Sequence, residues 1–218
     1  MRRFALIHGA ATTSRVWRQV TPLLAAPDEA AGPDQGGPAT VAVPDRPCTG
    51  DLAAETAALR PCCQGAVVGG VSGGATLGLA LAAAGVPAAA VLHEPAVGSL
   101  LPGLLDQVRA AYAAGGVPAF ARALYGSAWT QAQAPADPAA VARDLAMFSA
   151  FEPAGPAPGA GPVIITVGER SPEARHTAAT RLADKFGFAV QVIPDAGHAV
   201  HLTHPAAFAA VLRQAADG

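Results

Sequence analysis

Lysine is almost missing from this chain: Lys185 is the only one in 218 residues, and no basic run occurs. A surface with no basic patch is a poor match for nucleic acid or for an anionic membrane. Charged residues make up 14% of the chain and nearly cancel to a net −2, which adds no long-range attraction to either partner. No apolar run approaches the length of a membrane span. Residues 1–10 resemble the start of a signal peptide, but the apolar part is short and His8-Gly9 interrupts it, so the stretch reads as a first strand at 3–7. Cysteine is also scarce. Cys48, Cys62 and Cys63 are odd in number, two are neighbours, and none stands in a C-x-x-C pair. That pattern indicates reduced thiols in a cytoplasmic protein rather than a disulfide framework or a metal site.

What the chain has in quantity is small and apolar. Hydrophobic residues make up 51%, with 24 glycines and 20 prolines. This length and composition suit one domain with a large core and room for an insertion. Short apolar runs at 3–7, 40–43, 66–71, 88–92, 162–167 and 188–193 read as strands, and helical patterns lie between them. A Gly/Pro/Asp-rich loop is expected at 27–39. Ser171, followed by Pro172, reads as the cap of the helix after the fifth strand. Alternating strands and helices predict an α/β fold with a mostly parallel six-stranded sheet flanked by helices. The pattern changes over residues 98–161, where only helices are expected, at about 100–114, 118–124 and 138–151. The expected division is a core of residues 1–97 and 162–218, with 98–161 as a small helical lid.

The most informative stretch is Gly70-Val71-Ser72-Gly73-Gly74, between an apolar strand and an apolar helix. A serine flanked by glycines at a strand-to-helix turn fits a nucleophile elbow, in which the turn pushes the hydroxyl out at the sheet edge. A phosphate cradle fits less well, because no Lys-Ser/Thr follows and the dinucleotide spacing is missing. His8, Asp45, Ser72, Glu94, Glu169 and His198 each stand just past a predicted strand end. In a parallel sheet that places them on one rim, where ligands bind.

A serine hydroxyl needs a base, and the base needs an orienting group. His198 follows the last strand in a loop with reach across the rim. His8 and His93 read as packed histidines, and His201 and His204 as capping or surface residues of the final helix. A tetrahedral intermediate needs two backbone donors. Gly73 supplies one, and the loop after the first strand supplies the other, at Ala10 with Ala11 as the alternative.

His8-Gly9-Ala10, Gly70-x-Ser72-x-Gly74 and Gly197-His198, in that order, resemble the α/β-hydrolase superfamily, and the resemblance runs over essentially the whole chain. It is similar to compact, lid-bearing members that lack the first two family strands. The resemblance implies a serine hydrolase acting on a small-molecule carboxylic ester or thioester through an acyl-enzyme, with no cofactor and no metal. Asp45 corresponds to a structural turn residue. The family acid usually follows the penultimate strand, where Ser171 stands here. Glu94 is the favoured replacement, with Glu169, Asp195 or no acid at all as alternatives. Tyr125, Trp129 and Phe148, with Met147 and Phe151, either line an acyl pocket or only hold the lid helices together. The few charges in the lid point to an uncharged, largely apolar substrate. Two rivals stay open: a non-hydrolytic reaction such as lyase or cofactor-free ring chemistry, and a binding protein without turnover.

Overall fold

The computed structural model describes residues 1–26 and 39–218, so the loop expected at 27–39 lies, but for Ala39, outside the described residues. Six strands form one sheet: β1 (Arg3–Ile7), β2 (Thr40–Ala42), β3 (Val67–Val71), β4 (Ala89–His93), β5 (Val163–Gly168) and β6 (Ala189–Ile193). Their order is β2-β1-β3-β4-β5-β6, and every pairing is parallel. The all-parallel arrangement suits the apolar runs seen in the sequence. β3 and β4 are buried along their whole length, as expected of strands covered on both faces. The edge strands β2 and β6 are partly exposed, with Val190 and Val192 facing solvent.

Alternation along each strand sorts its side chains between two layers. In β1, Phe4 and Leu6 pack with Trp17, Phe208 and Leu212, beneath α1 (Val20–Ala25) and α8 (Pro205–Asp217). Ala5 and Ile7 face the other way, toward Leu59 and Leu77 of α2 (Leu52–Cys63) and α3 (Gly73–Ala83). On that second side α6 (Glu173–Phe186) covers β4 and β5 through Ala178 and Leu182. α2 starts where Asp51 accepts a hydrogen bond from the Ala54 N–H at 2.7 Å. It continues past Pro61 because Leu59 and Cys63 are both buried in the core.

Residues 98–161 contain helices and no strand. The two helices expected at 100–114 and 118–124 form one stretch, α4 (Asp106–Tyr125), which breaks direction at Gly115-Gly116. Gly116 has φ of 61°, a conformation that glycine adopts without strain. α5 (Ala139–Ser149) follows, and a short helix α7 (Val200–Thr203) precedes α8. His201 of α7 departs from the expected capping or surface role: it is buried against Trp17, ring centres 5.0 Å apart. The chain leaves β1 for β2 on one side and returns past β1 to β3 on the other. The crevice of such a sheet opens at that reversal, at the carboxyl ends of β1 and β3.

Candidate active site

Ser72 occupies the turn between β3 and α3 with φ 57° and ψ −122°, a strained backbone for a residue with a side chain. The turn is this tight because strand and helix nearly touch. A Cβ on Gly70 would collide with the Gly74 backbone, and one on Gly74 would collide with the Ile7 carbonyl of β1. The Ser72 N–H donates to the His93 carbonyl at 2.9 Å, which ties the turn to β4. Ala11 (φ 59°) and Glu94 (φ 51°) are strained in the same sense. All three follow strand ends on one rim.

Glu94 is 3% exposed, at the end of β4. Its Oε2 accepts from His198 Nδ1 at 2.7 Å, and its Oε1 accepts from the Gly168 N–H at 3.1 Å and from the Ser171 hydroxyl. Ser171 was expected to cap the helix at α6. Pro172 takes the N-cap position instead, and the Ser171 hydroxyl turns inward to the carboxylate. Burial alone raises the Glu94 pKa, but the hydrogen bond from His198 and the nearby His93 and Arg175 outweigh it and hold the group well below the usual carboxylate range.

His198 stands in the loop after β6. With Nδ1 donating to Glu94, the ring is in the tautomer that leaves Nε2 free to accept. That Nε2 is buried and has no hydrogen-bond partner. Burial, with Arg175 adding to it, holds His198 below the ordinary imidazole value, against the pull of Glu94. His93 supports the same loop. Its Nδ1 accepts from Thr166 Oγ1 at 3.0 Å, and its Nε2 donates to the Gly197 carbonyl at 3.2 Å. The two other candidate acids are engaged elsewhere. Glu169 accepts from the Asp195 N–H at 2.8 Å, and Asp195 pairs with Arg170 on the exposed surface.

Ala10 and Gly73 line the same cavity as Ser72. Gly73 is the first residue of α3, so its N–H has no acceptor within the helix. Among the expected pocket residues only Phe148 lines this cavity, lying so close over Gly73 that a Cβ there would strike its ring. Tyr125 and Trp129 stand outside the lining. Each needs a partner for its polar end when buried. The Tyr125 hydroxyl donates to the Ala10 carbonyl and Trp129 Nε1 to the Ala11 carbonyl, both at 2.9 Å. Tyr125 also faces the Ser72 side chain and lies beside the His198 ring at 5.7 Å. Residues 98–161 therefore hold the loop after β1 by its carbonyls.

A buried ion cluster adds a second tie. Arg46 donates to Glu55 of α2 at 3.2 Å and to Asp144 of α5 at 3.1 and 2.5 Å, and its Nη2 reaches the Gly9 carbonyl at 3.4 Å. The Arg46 backbone N–H donates to His8 Nε2 at 3.1 Å, which makes His8 a packed, neutral histidine with its pKa lowered by burial to about 3. Asp45 accepts from the Ser14 N–H at 2.7 Å and serves the turn.

Leu105, Val108, Phe120, Leu124, Leu145 and Phe148 close over Ser72. The open space left there is about 20 Å³, enough for about one water molecule. Among the described residues no group of three or more His, Cys, Asp or Glu side chains is arranged to hold a metal ion, and no helix is long and apolar enough to cross a membrane.

The fold recurs among solved structures. A hydrolase from Pseudomonas aeruginosa PA01 superposes with a TM-score of 0.72 at 15% identity, over 98% of this chain and 89% of its own. A pyrethroid hydrolase from Sphingobium faniae JZ-2 gives 0.65 at 16% identity, over 100% and 98%. A naproxen esterase from Bacillus subtilis gives 0.62 at 15% identity, over 98% and 82%. No curated protein matches in sequence. The model of the alpha/beta hydrolase family matches residues 4–211, nearly the whole chain, and the chain belongs to that family.

Proposed function

We propose that the protein is a serine hydrolase that cleaves a carboxylic ester or thioester through an acyl-enzyme, in a cavity whose walls are mostly apolar. The observation that carries this reading is the Glu94–His198 hydrogen bond of 2.7 Å, which leaves Nε2 unpartnered on the rim where Ser72 projects from its strained turn. His198 Nε2 takes the proton of Ser72 as the hydroxyl oxygen attacks the carbonyl carbon. The Gly73 and Ala10 N–H groups receive the negative oxygen of the tetrahedral intermediate. Glu94 fixes the tautomer and stabilises the imidazolium. His198 then returns the proton to the departing alcohol or thiol, activates a water against the acyl-enzyme, and the acid leaves. The pyrethroid hydrolase and the esterase of the same fold support ester cleavage as the reaction class.

Residues 98–161 act as a lid. As the chain stands the cavity at Ser72 admits about one water, so α4 and α5 have to move for substrate to enter. The rival reading as a binding protein drew on the vacant acid position, and the carboxylate of Glu94 at His198 Nδ1 removes that motive. A fluorophosphonate probe tests the proposal. Intact-protein mass spectrometry is expected to show one adduct, on Ser72, absent in Ser72→Ala. No labelling under conditions where a control hydrolase reacts removes the nucleophile. An activated ester is expected to give an acyl adduct on Ser72, which a lyase would not accumulate.

A further inference from the structure

One charged side chain lining the Ser72 cavity helps to hold Glu94 ionised but has no contact with substrate in the chemistry above. Arg175 stands in the first turn of α6, and its side chain is 10% exposed. Its Nη1 donates to the Glu94 carbonyl at 3.3 Å. Its Nε forms an ion pair with Glu94 Oε2 at 3.7 Å, too long for a hydrogen bond. A guanidinium carries five N–H donors in a planar fork. One of them is used, and the other four have no hydrogen-bond partner among the described residues. Those donors keep some access to solvent, so they are open to a ligand that enters the cavity.

The position of Arg175 indicates what completes the fork. It lines the Ser72 cavity together with Ala10 and Gly73. It also lines a second cavity, which reaches His198 from the other side between α4 and α6. Among the described residues it is the only lysine or arginine lining either one. The other walls around Ser72 are mostly apolar, and Glu94 is already bound to His198, Ser171 and Gly168. One cation beside one engaged carboxylate suits a monoanion and not a doubly charged phosphate. A planar carboxylate matches the fork with two parallel hydrogen bonds.

We propose that the ester substrate carries a free carboxylate on its acyl side, and that Arg175 binds it while the scissile carbonyl sits at Ser72. The inference rests on the serine hydrolase reading for its reaction and revises the expectation of an uncharged substrate. That expectation drew on the lid, whose residues at the cavity are apolar, whereas Arg175 comes from the core. Hydrolysis of such a half-ester consumes one water, breaks the acyl C–O bond, and releases an alcohol and a dicarboxylate.

The probes are monomethyl succinate and monomethyl glutarate, each against its methyl-ketone isostere, an uncharged methyl ester of the same length. The wild type is expected to favour the half-esters by about tenfold or more in kcat/KM, the size of one charged hydrogen-bonded contact. Arg175→Met is expected to bring that ratio to about one, whatever it does to the absolute rate through Glu94, and Arg175→Lys to keep part of it. A wild type that prefers neither charged ester overturns the inference, and so does an Arg175→Met that slows charged and neutral esters by the same factor. Calorimetry separates the two proposals. If no ester is turned over and no fluorophosphonate label forms, the hydrolase reading falls. Binding of monomethyl succinate that is lost in Arg175→Met then still supports the carboxylate site, and absence of binding rejects it.

Discussion

Glu94 and His198 form a pair in which each partner sets the other's proton. The carboxylate is held ionised, and the imidazole is held neutral with Nε2 free. Glu94→Gln keeps the shape but can present an N–H to Nδ1, which favours the wrong tautomer. A fall in kcat of about 10³ to 10⁴ is expected, read by ester turnover beside an unchanged circular dichroism spectrum. Glu169→Gln and Asp195→Asn, at residues that bond only to the surface loop, are expected to stay within about twofold of wild type. Turnover by Glu94→Gln comparable to wild type excludes Glu94 as the orienting acid. The pH profile follows from the same pair. An imidazole works as a base only when neutral, and His198 lies below the ordinary value of about 6.5. As pH falls, kcat/KM is expected to hold level through 6.5 and drop at lower pH. A half-maximum above 6.5 contradicts this.

At the scale of elements, two close approaches build the site. β3 and α3 meet at Gly70 and Gly74, where backbone faces backbone and nothing can yield. Gly74→Ala pushes a methyl into the Ile7 carbonyl and is expected to lose about 3 kcal/mol, visible as a lower urea midpoint. α5 and α2 meet through Arg46, whose partners Glu55 and Asp144 are both buried. Asp144→Ala leaves that guanidinium short of its strongest partner, and a loss of about 3 to 5 kcal/mol is expected. Because Asp144 ties α5 to Arg46, the same change is expected to speed limited proteolysis near 155–159, the Gly/Pro stretch that leads back to the core. Unchanged cleavage there argues that Arg46 does not hold α5 in place.

For the whole molecule, buried neutral histidines tie stability to pH. In the unfolded chain each imidazole takes up a proton near pH 6.5. In the folded protein burial keeps His8 and His201 neutral down to about 3 and His93 down to about 4. The unfolded state therefore binds more protons over that window, and stability falls as pH falls. Each histidine contributes a slope of about 1.4 kcal/mol per pH unit. Glu94 acts in the same direction below the usual carboxylate range, because its folded pKa is depressed. Three histidines together are enough to consume a typical domain stability of about 5 to 15 kcal/mol within a few pH units. Urea midpoints are expected to hold nearly level from pH 7.5 to about 7 and to decline with growing slope through 6.5 down to 5. A flat profile means that these side chains accept protons in the folded state.

The strands, the glycine-framed serine and the rim of polar residues were legible in the sequence. Each depends on neighbours a few positions away: apolar runs make buried strands, and a tight turn demands glycine. The helices at 98–161 were legible too, though not their merger across Gly115-Gly116. The amino-acid order alone left three carboxylates open as partners of His198. Only the sheet order, which sets β4, β5 and β6 side by side, brings Glu94 to a histidine 104 positions away and turns Ser171 inward to the same carboxylate. Tyr125, Trp129 and Arg175 carried no motif, because their roles come from what the fold packs against them. Local chain chemistry determined the strands and the turn at Ser72. The tertiary structure decided which charges meet there, since a buried carboxylate or guanidinium is fixed by whichever distant donors and acceptors surround it.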